Sequence, residues 1–243
     1  MQSALNANPA TLTQFRGTQF SFGGAWAEAT YDITQTGSLP GIGVDPFSAK
    51  SGTPGAALPH IGVTQSLSAL GLPATFGMGF LGNAGAGVDF RDVPNANGTS
   101  AEYVALDIVT AAGVELTERL SLGAAFFLGN SFLDGPFVDL GGMTPAYGIR
   151  GTVGLNYALS DATQLGAYWQ TRKEFQFDDA VLFPGGTPAD VLLDHPENIG
   201  LGIANSSLFD GRLLLAADVL YKQYAETDFL GAIYNDQWVY QFG

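Results

Sequence analysis

Between residues 147 and 224 the chain alternates oily and polar side chains in four successive runs, and this period of two constrains the fold more than any other feature. In the first run Tyr147, Ile149, Val153, Leu155 and Tyr157 share one parity, and Arg150, Thr152, Gly154 and Asn156 the other. In the second, Leu165, Ala167, Trp169, Phe175 and Phe177 stand opposite Gln164, Gly166, Gln170, Arg172, Glu174 and Gln176. The third sets Ile199, Leu201 and Ile203 against Asn198, Gly200, Gly202 and Ala204, and the fourth sets Leu213, Leu215, Val219 and Tyr221 against Asp218, Lys222 and Tyr224. Successive side chains of a strand point to opposite faces, so each run is a strand with one apolar and one wet face. Short turns at Ser160-Asp161-Ala162 and Leu208-Phe209-Asp210-Gly211 alternate with a long connection over residues 178–196. Short turns at one end and long loops at the other are the pattern of a transmembrane β-barrel.

The rest of the chain repeats the pattern. A first strand covers residues 18–31 with Phe20, Phe22 and Trp26 on one face, and a second carries Ile61 and Val63. The third starts with Phe76, Met78 and Phe80, then loses its alternation at Gly82-Asn83-Ala84-Gly85-Ala86-Gly87. Glycines within a strand mark a bulge, a bend or a close approach of backbones. The fourth strand alternates Val104, Leu106, Ile108 and Val114 with Asp107, Gly113 and Glu115; the fifth carries Leu120, Leu122, Phe126 and Leu128. A last run begins at Trp238, Tyr240 and Phe242, and residues 1–17 read as irregular. The total is about ten antiparallel strands in one all-β domain. Tyr31, Tyr103, Tyr147, Tyr157, Phe175, Phe177, Tyr221 and Trp238 fall at strand ends, where an interfacial girdle would place them.

Composition fits. Charged residues make up only 13% of the chain, about half of what a soluble domain carries. No window approaches the roughly 18 consecutive apolar residues of a membrane helix, so contact with lipid has to be made by closed strands. A net charge of −14 argues against a nucleic-acid partner. The acids gather between strands, at Asp89, Asp92, Asp134, Asp139, Asp178, Asp179, Asp190, Asp194, Glu197, Glu226, Asp228 and Asp236, as solvated loops do. Bridging of such loops to an anionic lipid surface by divalent cations is the sharper alternative. The absence of cysteine removes disulfides and thiolate metal sites. Met1-Gln2-Ser3 is followed by no basic and then apolar leader, so an exported barrel is expected here with a truncated N-terminus.

No catalytic constellation emerges. His60 and His195 are the two histidines, no G-x-S-x-G elbow accompanies them, and a lone His195-x-Glu197 is a weak metal signal. Gly82 to Gly87 is followed by no helix, which removes the dinucleotide reading. The expectation is a protein that is not an enzyme and carries no metal or cofactor. The wet face says more. Asp107, Glu115, Arg150, Arg172, Glu174, Asp218 and Lys222 share it, and in a barrel that face is the lumen. These charges either pair across strands, or Arg150, Arg172 or Lys222 grips the carboxylate of an amphiphilic ligand. Phe127, Leu220 and Tyr224 share the inward parity. A lumen with aromatics suits greasy solutes better than a water-filled pore.

Asn8-Pro9-Ala10 followed by Leu12 resembles the motif that ends the N-terminal plug of FadL-type outer-membrane transporters of long-chain fatty acids and other hydrophobic compounds. Tyr147-Gly148 through Leu159-Ser160-Asp161, the run Leu165-Gly166 to Gln170-Thr171, His195-Pro196-Glu197 to Gly202, Ala217-Asp218, Tyr224 and Asp236-x-Trp238 are similar, in order, to that family's hairpins. The resemblance implies a fourteen-stranded barrel of which this chain holds an incomplete part: residues 1–17 as the end of the plug and residues 18–243 as barrel. It also implies a monomer in the outer membrane of a bacterial cell, in contact with its lipid. Hydrophobic solutes would be taken up passively and released sideways at a kink of the third strand, which falls on Gly82, Asn83, Ala84, Gly85 and Gly87. The family's Pro-Phe-Gly is replaced here by Phe80-Leu81-Gly82. A general diffusion porin and a soluble β-sandwich binding protein are the alternatives.

Overall fold

A computed structural model describes residues 1–28, 30–41, 43–53, 55–135, 143–181 and 187–243. Asp139 and part of the long connection over residues 178–196 lie outside the described residues. The first strand, β1 (Thr18–Ala27), is followed by a small hairpin of β2 (Asp32–Gln35) and β3 (Phe47–Lys50), set between the first two expected strands. Then come β4 (Ala56–Ser66), β5 (Ala74–Asp89), β6 (Ser100–Glu115), β7 (Leu120–Asp134), β8 (Thr144–Ser160) and β9 (Thr163–Gln170). A second hairpin, β10 (Lys173–Val181) and β11 (Ala189–His195), precedes β12 (Glu197–Leu208), β13 (Leu213–Gln223) and β14 (Gln237–Phe242).

Ten of these strands form one antiparallel sheet in the order β1-β4-β5-β6-β7-β8-β9-β12-β13-β14. Each wall strand lies beside its predecessor in the wall, the up-and-down connectivity of a membrane barrel. The fold is that of an incomplete antiparallel transmembrane β-barrel, with β1 and β14 each laddered on one side only among the described residues. No helix is long and apolar enough to cross a membrane among the described residues, so the strands have to.

The two faces of the wall are sorted by parity. Leu155, Leu201 and Leu215 are 38%, 55% and 46% exposed, and Phe20, Ile149, Val153 and Trp238 join them on the outside. Leu165 is half-buried. Asp107, Ser131, Arg150, Thr152 and Asn198 are buried on the opposite face. Oily side chains held out of a core in such numbers imply a lipid solvent. Tyr221 and Trp238 stack at 4.6 Å at one end of their strands, as in a girdle. Tyr103, Phe175 and Phe177 are not part of that girdle: all three turn inward, the two phenylalanines fully buried.

Two inserts fill the inner side. The N-terminal residues are not irregular but form a short helix, α1 (Gln2–Asn6), and a 3-10 turn over Pro9–Gln14. Pro9 opens that turn, where a missing N–H costs nothing, and the Asn8 side chain accepts from Ala10 N–H as its cap. Leu5, Leu12, Val109 and Phe127 make one buried cluster under the turn. The second insert is the β10–β11 hairpin. The alternation continuing from Trp169 to Phe177 predicts one strand, but the chain leaves the wall after Gln170 and folds back against β7 and β8. Phe175, Phe177 and Leu193 pack there with Leu133 and Ala146.

Candidate functional site

The inner face of β6, β7 and β8 carries glycines in two tiers, and each insert sits on one. In the lower tier, a side chain on Gly113, Gly123 or Gly154 would collide with Pro9, Ala10 or Asn8. The Asn-Pro-Ala turn therefore lies directly on the backbone of the wall. Asn8 Nδ2 donates to the Leu155 carbonyl at 2.9 Å, Gln170 Nε2 to the Asn6 carbonyl at 2.6 Å, and Thr13 Oγ1 to Ser121 Oγ at 3.0 Å. In the upper tier, a side chain on Gly129 would meet Phe175 and one on Gly148 would meet the Glu174 carbonyl.

The hairpin is clamped at its stem. Arg150 donates from Nε to the Thr171 carbonyl at 2.7 Å and from Nη2 to the Pro196 and His195 carbonyls at 2.6 and 3.3 Å. One guanidinium thus ties the point where the chain leaves the wall to the point where it returns. Further in, Lys173 Nζ donates to both oxygens of Asp107, at 2.5 and 2.7 Å, and both residues are fully buried. His195 shares a 2.7 Å hydrogen bond with the Tyr103 hydroxyl and packs edge-on against Phe175. Burial, with Lys173, Arg150 and Lys222 nearby, holds the His195 imidazole well below its usual 6.5. It is therefore neutral at neutral pH.

Between the inserts and the wall lies a cavity of about 830 Å³, within the ordinary range for a ligand site. Its walls are mainly apolar: Leu133, Val191, Leu193, Leu220, Phe229 and Ile233 line it, with Tyr103, Tyr168 and Tyr224 among the polar-tipped groups. Arg150, Leu220, Lys222 and Tyr224 all reach it, as the inward parity of the sequence suggests. Phe127 does not: it belongs to the apolar cluster under the N-terminal turn. Arg172 has left the wall face and stands 3.8 Å from Asp194 and 3.5 Å from Glu226. Arg150 has its donors on backbone carbonyls, whereas Lys222 makes no hydrogen bond or ion pair among the described residues. Sequence reasoning missed the contribution of Phe229, Leu230 and Ile233, although an oily group inside the polar connection after β13 is the signal that would have found it.

The same cavity reaches the break in the third wall strand. In β5 the register against β6 slips between Gly82 and Ala84, so Asn83 is an extra, bulged residue. The β4–β5 ladder stops at His60↔Leu81. From there β4 pairs only with β1 and β5 only with β6. Pro59, the next residue on β4, has no N–H to offer, and β5 bulges at Asn83, so the ladder is not resumed although the strands stay in contact. At the far end Gly52 N–H donates to the Asp89 carbonyl and Asp89 N–H to Ser51 Oγ, both near 2.9 Å. The result is a framed gap in the hydrogen-bond ladder of the wall, with a second space of about 290 Å³ lined by Ala56, Ala57 and Leu58 on one side and Ala84, Gly85, Ala86 and Gly87 on the other. Ala84, Ala86, Gly87, Glu102 and Tyr103 border both spaces.

No family model and no curated protein matches the sequence. The fold does have counterparts among solved structures. The toluene transporter TodX of Pseudomonas putida superposes with a TM-score of 0.66 at 22% identity, over 92% of this chain and 66% of that one. The CymD monoaromatic hydrocarbon channel gives 0.61 at 14% identity, over 93% of this chain and 65% of that one. A FadL homologue of Pseudomonas aeruginosa also gives 0.61 at 14%, over 92% and 64%. The chain therefore has the fold of the FadL-type channels and spans about two thirds of the length of these relatives.

Proposed function

We propose that this chain forms most of a channel for passive uptake of hydrophobic compounds across the outer membrane of a bacterial cell. Long-chain fatty acids and small aromatic hydrocarbons are the two candidate solute classes. The observation that carries the reading is the apolar cavity bordering a gap in a wall whose outer face is oily. Burying hydrocarbon contributes roughly 0.8 kcal/mol per methylene, so a solute is held there without many polar contacts. Lys222 is the group for an acidic head, since Arg150 is occupied by the hairpin stem and Arg172 lies away from the cavity. The solute enters from the long-loop end, rests against Leu220 and Tyr224, and leaves sideways into lipid between β4 and β5. Residues 1–17 act as the end of a plug beneath it, residues 18–243 as the barrel, and the protein works as a monomer without enzymatic activity.

The reading is tested in liposomes carrying the whole protein. Toluene or a long-chain fatty acid should enter faster than in protein-free vesicles while sugars stay out. Free passage of sugars would instead make the protein a general diffusion porin.

A further inference from the structure

The gap between β4 and β5 is shaped by a single extra residue, Asn83, and the side chain of that residue does not point into open space. Asn83 Nδ2 donates to Asp107 Oδ2, and Asp107 is the carboxylate that Lys173 grips with two bonds. Three side chains from three different parts of the fold thus meet at one point: the bulge in β5, the middle of β6 and the first residue of the β10–β11 hairpin. Lys173 also stands 5.3 Å from the Phe175 ring centroid, on the hairpin side.

Such a cluster is costly unless complete. Lys173 and Asp107 are 0% and 1% exposed, and each would be an uncompensated charge in a dry site without the other. Charge-assisted hydrogen bonds of this kind are short and directional, and replacing such a pair by apolar groups often costs no stability. Its value lies in specifying position. Beyond its ladder with β6, the segment it positions has few means of holding shape, because residues 82–87 are glycine, alanine and Asn83 alone, with no large side chain to pack. The hairpin, for its part, can be seated deep enough for Lys173 to reach Asp107 only because Gly129 and Gly148 carry no side chains.

We infer that Lys173, Asp107 and Asn83 form a latch through which the seated hairpin fixes the bulge, and with it the lips of the lateral gap. Lys173 is then a positioning residue for passage: it touches no solute and is not part of the cavity lining, but it sets the exit. A hairpin lifted from its seat withdraws Lys173, frees Asp107 to hydrate, and leaves the bulge without its anchor. Access from the loop end and the width of the lateral exit become coupled through one buried carboxylate. The transport consequence rests on the lateral-exit reading above; the geometric one does not.

The test uses the whole protein in outer-membrane vesicles, with spin labels on cysteines introduced at Leu58 and Ala86, which line the gap from β4 and from β5; the chain has no cysteine of its own. The parent should give one narrow distance. Lys173→Met and, separately, Asn83→Ala, which leaves the ion pair in place, should both broaden it, and the two combined should broaden it no further. The exchanged pair Asp107→Lys with Lys173→Asp should narrow it again, which loss of folding would not do. Heat-modifiable gel mobility identifies any variant that fails to fold. An unchanged distance in folded Asn83→Ala and Lys173→Met overturns the latch, and so does strict additivity. Uptake measured on the same vesicles separates the two ideas: Lys173→Met should lose most of its uptake while still binding a fluorescent fatty acid. A broadened distance with uptake intact would uphold the latch and refute the lateral exit.

Discussion

Two inserts rest on β7 and β8, six residues apart along each strand, and they are held in opposite ways. The N-terminal turn sits on Gly113, Gly123 and Gly154 through shape and neutral hydrogen bonds, with Leu5 and Leu12 buried beneath it. The β10–β11 hairpin sits on Gly129 and Gly148 through a buried ion pair, an arginine clamp and an aromatic cluster. The lower seat is apolar packing, which tolerates no rearrangement without loss. The upper seat depends on charges that must all be present together, and it borders the cavity; it reaches the bulge in β5 only through Asp107 and Asn83. The lower insert is held as a fixture, and the upper one is held by groups that also line the cavity or touch the bulge.

The largest effect expected from breaking this contrast is at Asp107. Asp107→Ala leaves Lys173 buried without a counter-ion and should cost about 3–5 kcal/mol in reversible unfolding from lipid vesicles. Asp107→Leu combined with Lys173→Met should recover most of it, showing that the pair serves position more than stability. Next is the lower seat. Gly123→Val drives a side chain into Pro9 and Ala10 and should cost about 1–3 kcal/mol. The same change should expose residues 1–14 to protease, with the hairpin still protected. A smaller loss, about 1 kcal/mol, is expected for Asn8→Ala, which removes both the cap and the bond to Leu155. The smallest effect is that of pH on the upper seat. The imidazole of His195 is held below 6.5 in the folded protein, so the unfolded chain takes up the extra proton. Hairpin stability is then fully present above that pH and declines as pH falls through it. Proteolysis of the hairpin should rise on acidification and lose that dependence in His195→Gln, while cleavage at residues 1–14 stays flat.

The lower seat was more legible in the sequence than the upper one. Asn8-Pro9-Ala10 carries a cap and a proline at fixed spacing, so its local structure is written in adjacent residues. The wall was legible because parity is a local property, and Leu155, Leu201 and Leu215 face outward as the alternation requires. The break in β5 appeared as a failure of that alternation at Gly82 to Gly87. The hairpin was hidden because its alternation runs in phase with that of β9. Only Thr171 and Arg172 separate them, and a period of two does not say which sheet a strand joins. For the same reason Phe175 and Phe177 read as outward residues when they are the buried floor of the upper insert. The pairing of Lys173 with Asp107 spans sixty-six positions and leaves no trace in local pattern. Parity placed Arg150 and Lys222 on the inner face, but not that the first would be bound to the chain's own carbonyls and the second left open to the cavity.

Lateral release requires that solute cross the wall between β4 and β5. Ala56 and Gly85 meet across the gap: a Cβ on Gly85 would lie 3.1 Å from that of Ala56, close enough for small shifts to bring it into disulfide range. With Ala56→Cys and Gly85→Cys in the whole protein, uptake of a hydrophobic solute should be lost on oxidation and restored by reductant, with sugars excluded throughout. Uptake that continues unchanged with the two lips covalently joined would contradict it.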